Sequence, residues 1–232
     1  ALYHKYKPQA PPGGGGTGNN GGGSIVFDKQ AIIPAPQLFE EKEETQQNKV
    51  FSDLSDAAWA VDAIHFLSGK NYINGYDDGT FAPLKTMTRE EFVALVLRGF
   101  DLLDAEAVCS FTDVNENEWY YRYVASAFSD GIVNGLNDEQ FGIGMPITRQ
   151  DAAVILTRAM EHKKITPVKK REYESFADDE TISDYAVESI KNLYTFGIIN
   201  GDNNKNFNPA ANIRRAECCV MLTNILSGGT RV

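Results

Sequence analysis

Met87-Thr88-Arg89-Glu90-Glu91-Phe92 leads into an apolar run over residues 93–100, and it decides the fold because it comes back twice. Ile147-Thr148-Arg149-Gln150-Asp151 precedes the apolar run 152–160, and Ile213-Arg214-Arg215-Ala216-Glu217 precedes 218–226. The three arginines are 60 and then 66 residues apart. A self-similar period of this length is the mark of a repeat architecture and is settled before any single element.

Other positions keep the same period. Phe51-Ser52-Asp53, Phe111-Thr112-Asp113 and Phe176-Ala177-Asp178 open three units. Trp59 and Trp119 follow at one offset, with Tyr185 in the equivalent place one residue later. A turn ends in Asn74-Gly75, Asn134-Gly135 and Asn200-Gly201.

In each unit an apolar face at helical spacing is followed by a loop rich in Gly, Asp and Asn, and then by a second helix. Asp53, with Ser55 or Asp56, is expected to cap the first helix, which carries Trp59, Ala60, Ala63, Ile64 and Leu67. The corresponding helices span 119–128 and 185–196. Thr88 with Glu91 forms a capping box for the second helix, and Thr148 with Asp151 repeats it. No single unit can bury its own apolar faces, whereas three together can.

The boundaries follow from the period. Residues 1–49 are a Gly/Pro-rich and acidic linker, with 50–109, 110–174 and 175–232 as the three units. Residues 1–8 alternate like a strand and suggest the end of a preceding β domain. Residues 11–24, almost all Gly, Asn and Pro, are expected to be a flexible tether. Residues 163–170 form a basic connector. With no initiating Met and no signal peptide, the chain reads as a piece of a longer protein with a cargo domain before residue 1.

The chain has 232 residues and a net charge of −10. That acidity argues against a nucleic-acid surface and against adhesion to an anionic membrane. No apolar run is long enough to span a bilayer. The three cysteines, Cys109, Cys218 and Cys219, show no metal-ligand spacing, and no disulfide framework or cofactor site is indicated. Asp77-Asp78-Gly79 lacks the register of a calcium loop. Asp178-Asp179 reads as solvated surface rather than as a glycosidase pair.

The pattern F-S-D…W-A…N-Y-I-N-G-Y-D-D-G-T-F-A-P…M-T-R-E-E-F resembles the S-layer homology module, whose hallmark is a T-R-A-E-like tetrad. The likeness covers residues 50–226. It implies an all-α fold in which three helix–loop–helix repeats form a pseudo-trimer, with one helix from each in a central three-helix bundle. It also implies non-covalent anchoring of an exported protein at the bacterial cell envelope. The ligand would be a secondary cell wall polysaccharide, often bearing pyruvate ketals, held in grooves between modules with the tetrad arginine as a principal contact. The tetrads read TREE, TRQD and RRAE, so the three grooves are not expected to be equivalent.

Arg89, Arg149 and Arg215 accordingly stand as polysaccharide-binding candidates. Each falls at a helix start, where N–H groups and the dipole favour an anion, and a guanidinium fork matches a carboxylate. The plainer structural reading is that each pairs with a nearby carboxylate. Trp59 and Trp119 offer flat faces to sugar rings, although their place on the first helix's apolar stripe favours core packing. Gly75, Gly135 and Gly201 would let a ligand approach the backbone, with the turn itself as the simpler reason for them. No catalytic or metal-binding constellation is present. The alternatives to polysaccharide anchoring are a self-assembling surface layer or appendage, and direct peptidoglycan binding in a Gram-negative envelope.

Overall fold

This computed structural model describes residues 49–231; the expected strand at 1–8 and the Gly-rich tether lie outside that span. Six helices follow in order: α1 Val61–Gly69, α2 Arg89–Phe100, α3 Tyr121–Ser129, α4 Arg149–His162, α5 Val187–Thr195 and α6 Arg215–Gly228.

The second helix of each unit is apolar nearly all round, which marks a helix destined for a core. On α2, Phe92, Val93, Leu95, Val96, Leu97 and Phe100 are all buried; α4 buries Ala152, Ile155, Leu156 and Met160, and α6 buries Cys218, Cys219, Met221 and Leu222. These three helices form the centre, with α2 against both α4 and α6. Cys218 and Cys219 act there as small hydrophobes, and burial pushes the Cys219 thiol up to about 12.

The outer helices are handed on round the ring. α3 packs on α2, α5 on α4 and α1 on α6, so each lies against the inner helix of the module before it. The first module is thereby completed by the third. Three backbone bonds repeat this closure at the helix starts: Met87 N–H donates to Ile213 O (3.1 Å), Ile147 to Met87 (3.0 Å) and Ile213 to Ile147 (3.0 Å).

The capping box on α2 is complete. Thr88 Oγ1 accepts from Glu91 N–H (3.4 Å), and the Glu91 carboxylate accepts from Thr88 N–H (3.1 Å). On α4, Thr148 accepts from Asp151 N–H (3.2 Å), but the shorter Asp151 turns its carboxylate elsewhere.

Several local expectations need correction. The first helices begin later than expected: residues 54–60 form a 3₁₀ segment kinked at Ala57, α3 starts at Tyr121 and α5 at Val187. Asp53 makes no capping bond to that segment. The all-α fold also carries a small antiparallel ribbon, Ile165–Pro167 with Gly229–Arg231, which ties the basic connector to the chain after α6. Asp78 closes its own turn, accepting from Thr80 N–H (2.9 Å) and the Thr80 hydroxyl (2.6 Å). No described helix is long and apolar enough to cross a membrane.

Candidate functional site

The opening aspartates clamp the loops that precede the inner helices. Asp53 accepts from Phe81 and Ala82 N–H (2.8 and 2.7 Å), and Asp178 from Phe207 and Asn208 N–H (2.7 Å each). Asp113 accepts three, from Phe141, Gly142 and Ile143 (2.8, 2.7 and 3.1 Å). Asp178 is thus a structural clamp rather than solvated surface. Asp179 is tied too, accepting from Tyr173 OH (2.6 Å) and Phe176 N–H (3.1 Å).

These clamps fix three buried phenylalanines whose carbonyls face the tetrad arginine of the preceding module. Nε–H donates from Arg89 to Phe141 O (3.0 Å), from Arg149 to Phe207 O (2.9 Å) and from Arg215 to Phe81 O (3.0 Å). Each guanidinium also lies over the same phenylalanine ring, at 5.2, 5.0 and 4.6 Å. The arginines are therefore floor residues: Arg89 and Arg215 are each only 6% exposed.

The carboxylate expected as the plainer partner is present in two cases. Arg89 Nη1 pairs with Asp151 at 3.1 Å and Arg149 Nη1 with Glu217 at 2.9 Å. Arg215 has no carboxylate partner among the described residues; its Nη2–H donates to Asn74 O (2.8 Å). The first N–H group of each inner helix is already taken. Those of Arg89, Arg149 and Arg215 donate to Met145, Ala211 and Lys85 carbonyls, each at 2.9 Å. These three amides are thus not free to hold an anion, whereas each guanidinium keeps donors beyond its bonds to the protein.

Above two of the arginines the surface opens. A cavity of about 370 Å³ over Arg89 is lined by Asn134, Gly135 and Leu136, by α4 and by Tyr185. A second, of about 510 Å³, lies over Arg149 between Asn200-Gly201-Asp202, α6 and Trp59. Each takes its arginine from one module, its loop from the next and its aromatic from the remaining one. Asp151 joins all three modules in the first cavity, bonding Arg89 and accepting from Tyr185 OH (2.6 Å). Burial, the bond to Asp151 and that carboxylate's charge raise the Tyr185 hydroxyl far above its ordinary value.

The tryptophans contradict the core expectation, since Trp59 is 59% and Trp119 47% exposed. They precede the helices whose apolar stripe they were expected to join. The glycines face inward. A Cβ on Gly75 would meet Phe51 at 2.3 Å and Thr80 O at 2.5 Å, and one on Gly135 would meet Phe111 at 2.5 Å and Gln140 O at 2.6 Å. Gly201 has more room, with Phe176 at 3.1 Å and Asn206 O at 3.2 Å. These contacts account for the glycines by turn packing, and Gly135 and Gly201 also line the cavities over Arg89 and Arg149.

A further set escaped the reading of the sequence although it keeps the period. Nine residues after the tetrad arginines, Arg98, Arg158 and Asn224 donate to the loop carbonyls of Tyr72 (3.4 Å), Ile132 (3.4 Å) and Ile198 (3.3 Å). Tyr185 takes the tryptophan position in the third unit, and its bond to Asp151 has no local sequence signal.

Comparison with known proteins picks out the same three repeats. The S-layer homology domain model matches residues 50–93, 110–153 and 175–218. The chain is 33% identical over 78% of its length to an amylopullulanase of Thermoanaerobacterium thermosulfurigenes, covering 10% of that protein. It is 30% identical over 73% of its length to the surface-layer 125 kDa protein of Lysinibacillus sphaericus, covering 14% of it. It is 32% identical over 48% of its length to a cellulosome-anchoring protein of Acetivibrio thermocellus, covering 26% of it. The chain thus spans only a small part of these relatives. It belongs to the S-layer homology domain family, as three tandem modules of a protein of the bacterial cell surface.

Proposed function

We propose that these modules are a non-catalytic anchor that holds an exported protein on a secondary cell wall polysaccharide bearing carboxylates, such as pyruvate ketals. The observation that carries this reading is a buried, pre-aimed guanidinium at the floor of an open groove with an exposed aromatic at its rim. Arg89 uses two of its five N–H donors on Phe141 O and Asp151. The others are left to meet a ligand carboxylate in the planar geometry that a guanidinium suits. Because the Phe141 and Phe207 carbonyls already hold the arginines, little side-chain entropy is lost on binding. Trp59 and Tyr185 offer flat faces to a sugar ring at the rim. The names of the relatives, which include a surface-layer protein, a cellulosome-anchoring protein and an amylopullulanase, suit an anchor shared by different cargoes.

Co-sedimentation with purified wall sacculi tests the arginine roles. Arg89→Ala combined with Arg149→Ala should weaken binding at least tenfold, while the protein still unfolds in one cooperative transition. A folded double variant that binds as the parent does would exclude these arginines as ligand contacts. Concentration-dependent assembly without wall material would instead favour a self-assembling layer.

A further inference from the structure

The third groove is built from the same parts but filled differently. Arg215 occupies the floor position, and α3 is the outer helix. At the position after the turn glycine the three modules carry Tyr76, Leu136 and Asp202. The Tyr76 ring lies over the Arg215 guanidinium at 5.3 Å, and its hydroxyl accepts from Lys85 Nζ at 2.9 Å. That bond, against the cost of burial, strengthens the hold of Lys85 on its proton, so the ammonium stays charged over the ring. The other modules have Met145 and Ala211 where Lys85 stands, so neither can make such a strap.

The opposite wall differs as well. One turn after the rim aromatic the outer helices carry Ala63, Tyr123 and Ser189. Tyr123 reaches across to α2, where its hydroxyl accepts from Arg98 Nε–H (3.0 Å) and its ring lies 4.7 Å from the Arg98 guanidinium. Trp119 lies beside it, tilted, with ring centroids 6.4 Å apart. Ala63 and Ser189 are too short to cross the corresponding spaces. The groove over Arg215 is therefore occupied from both sides: side chains bond Lys85 and Arg98, and the Tyr76 ring covers Arg215, whose own bonds go to Phe81 O and Asn74 O.

We infer that this chain closes its third groove with Tyr76 and Tyr123, so that it takes two carboxylated glycan ends, over Arg89 and Arg149, rather than three. The inference rests on the polysaccharide reading above and adds the two residues that set the number. The closed groove follows from adding aromatic volume and hydrogen-bond partners where a ligand carboxylate would have to sit, since displacing them would strip the cations of partners before any were regained.

The two tryptophans make the test internal, because Trp59 borders the groove over Arg149 and Trp119 lies beside Tyr123. The probe is the methyl glycoside of a hexose carrying a pyruvate ketal, titrated into the full chain. The readouts are the two indole N–H resonances and the bound count from native mass spectrometry. The expected result is a shift of the Trp59 signal, none of Trp119, and a limit of two ligands. Tyr76→Leu with Tyr123→Ser, which installs the residues of the other modules, should bring in a Trp119 shift and a third ligand. A parent Trp119 signal that responds alongside Trp59, or a count of three, would overturn the inference. So would a folded double variant that binds at Trp59 but gains no response at Trp119. Failure of the parent to bind the probe at all would refute the underlying polysaccharide reading, and is distinguishable because Trp59 would also stay silent.

Discussion

Replacing Asp113 by Ala probes the link between repeat and groove, because this carboxylate holds the loop that in turn holds Arg89. Three backbone N–H groups, of Phe141, Gly142 and Ile143, converge on it at 2.7–3.1 Å. Hydrogen bonds to a charged group contribute about 1.5–3 kcal/mol each, but bonds sharing one acceptor do not add. Removing the carboxylate leaves three donors to find water at a partly buried site, and we expect a loss of about 3–5 kcal/mol. For a domain of this size each kcal/mol moves the midpoint by about 2–4 °C, so Tm should fall by about 6–20 °C. Asp113→Asn, with one acceptor oxygen and an amide facing donors, should fall between parent and Ala. Thermal unfolding followed by circular dichroism reads all three.

The pH dependence has a fixed sign. Burial raises the Asp113 carboxyl, but the bonds from Phe141, Ile143 and Gly142 outweigh it and hold the group below the usual range. Its contribution is therefore present above the unfolded value of about 4 and lost as pH falls through the lower folded value. The Tm gap between parent and Asp113→Ala should narrow in that acid window. An Ala variant within about 2 °C of the parent at neutral pH would refute the clamp as the organiser of the loop.

Other outcomes follow from the same contacts. Gly75→Ala places a Cβ against Phe51 and Thr80 O and should destabilise by about 1–3 kcal/mol, whereas Gly69→Ala enters open space at a helix end and should be neutral or stabilising, both read by denaturant midpoint. Deleting residues 175–232 removes α5 from α4 and α6 from α1, so the remaining two modules should lose cooperative unfolding in calorimetry; a sharp transition would contradict the closed ring. Alkylation of the folded protein at neutral pH should label Cys109 first and leave Cys218 and Cys219 unmodified, as peptide mapping would show, because both of the latter are buried whereas Cys109 is partly exposed.

Much of the fold is legible because it is written three times. The capping box at Thr88, the buried stripe from Phe92 to Phe100 and the three-module pattern all come from local spacing that tertiary context reinforces. The site was less legible. Asp53, Asp113 and Asp178 look like helix caps by position, but their partners lie 28 to 30 residues away, a distance at which sequence pattern carries no signal. Trp59 and Trp119 fit a helical apolar stripe, yet the helices start after them and leave both exposed, Trp59 at a groove rim. The arginines stand out by repetition and by the family resemblance; that each is bound to the next module's phenylalanine carbonyl depends on the order in which the modules close. The same order explains why the groove over Arg149 borrows its aromatic from the first module, some 90 residues earlier.

The most direct test of the account is binding to native wall sacculi compared with the same sacculi after acid extraction of the secondary polysaccharide. Saturable binding to native sacculi is expected to disappear on extraction and to be lost from native sacculi with Arg89→Ala plus Arg149→Ala. Undiminished binding to extracted sacculi would contradict it and assign the grooves to peptidoglycan itself.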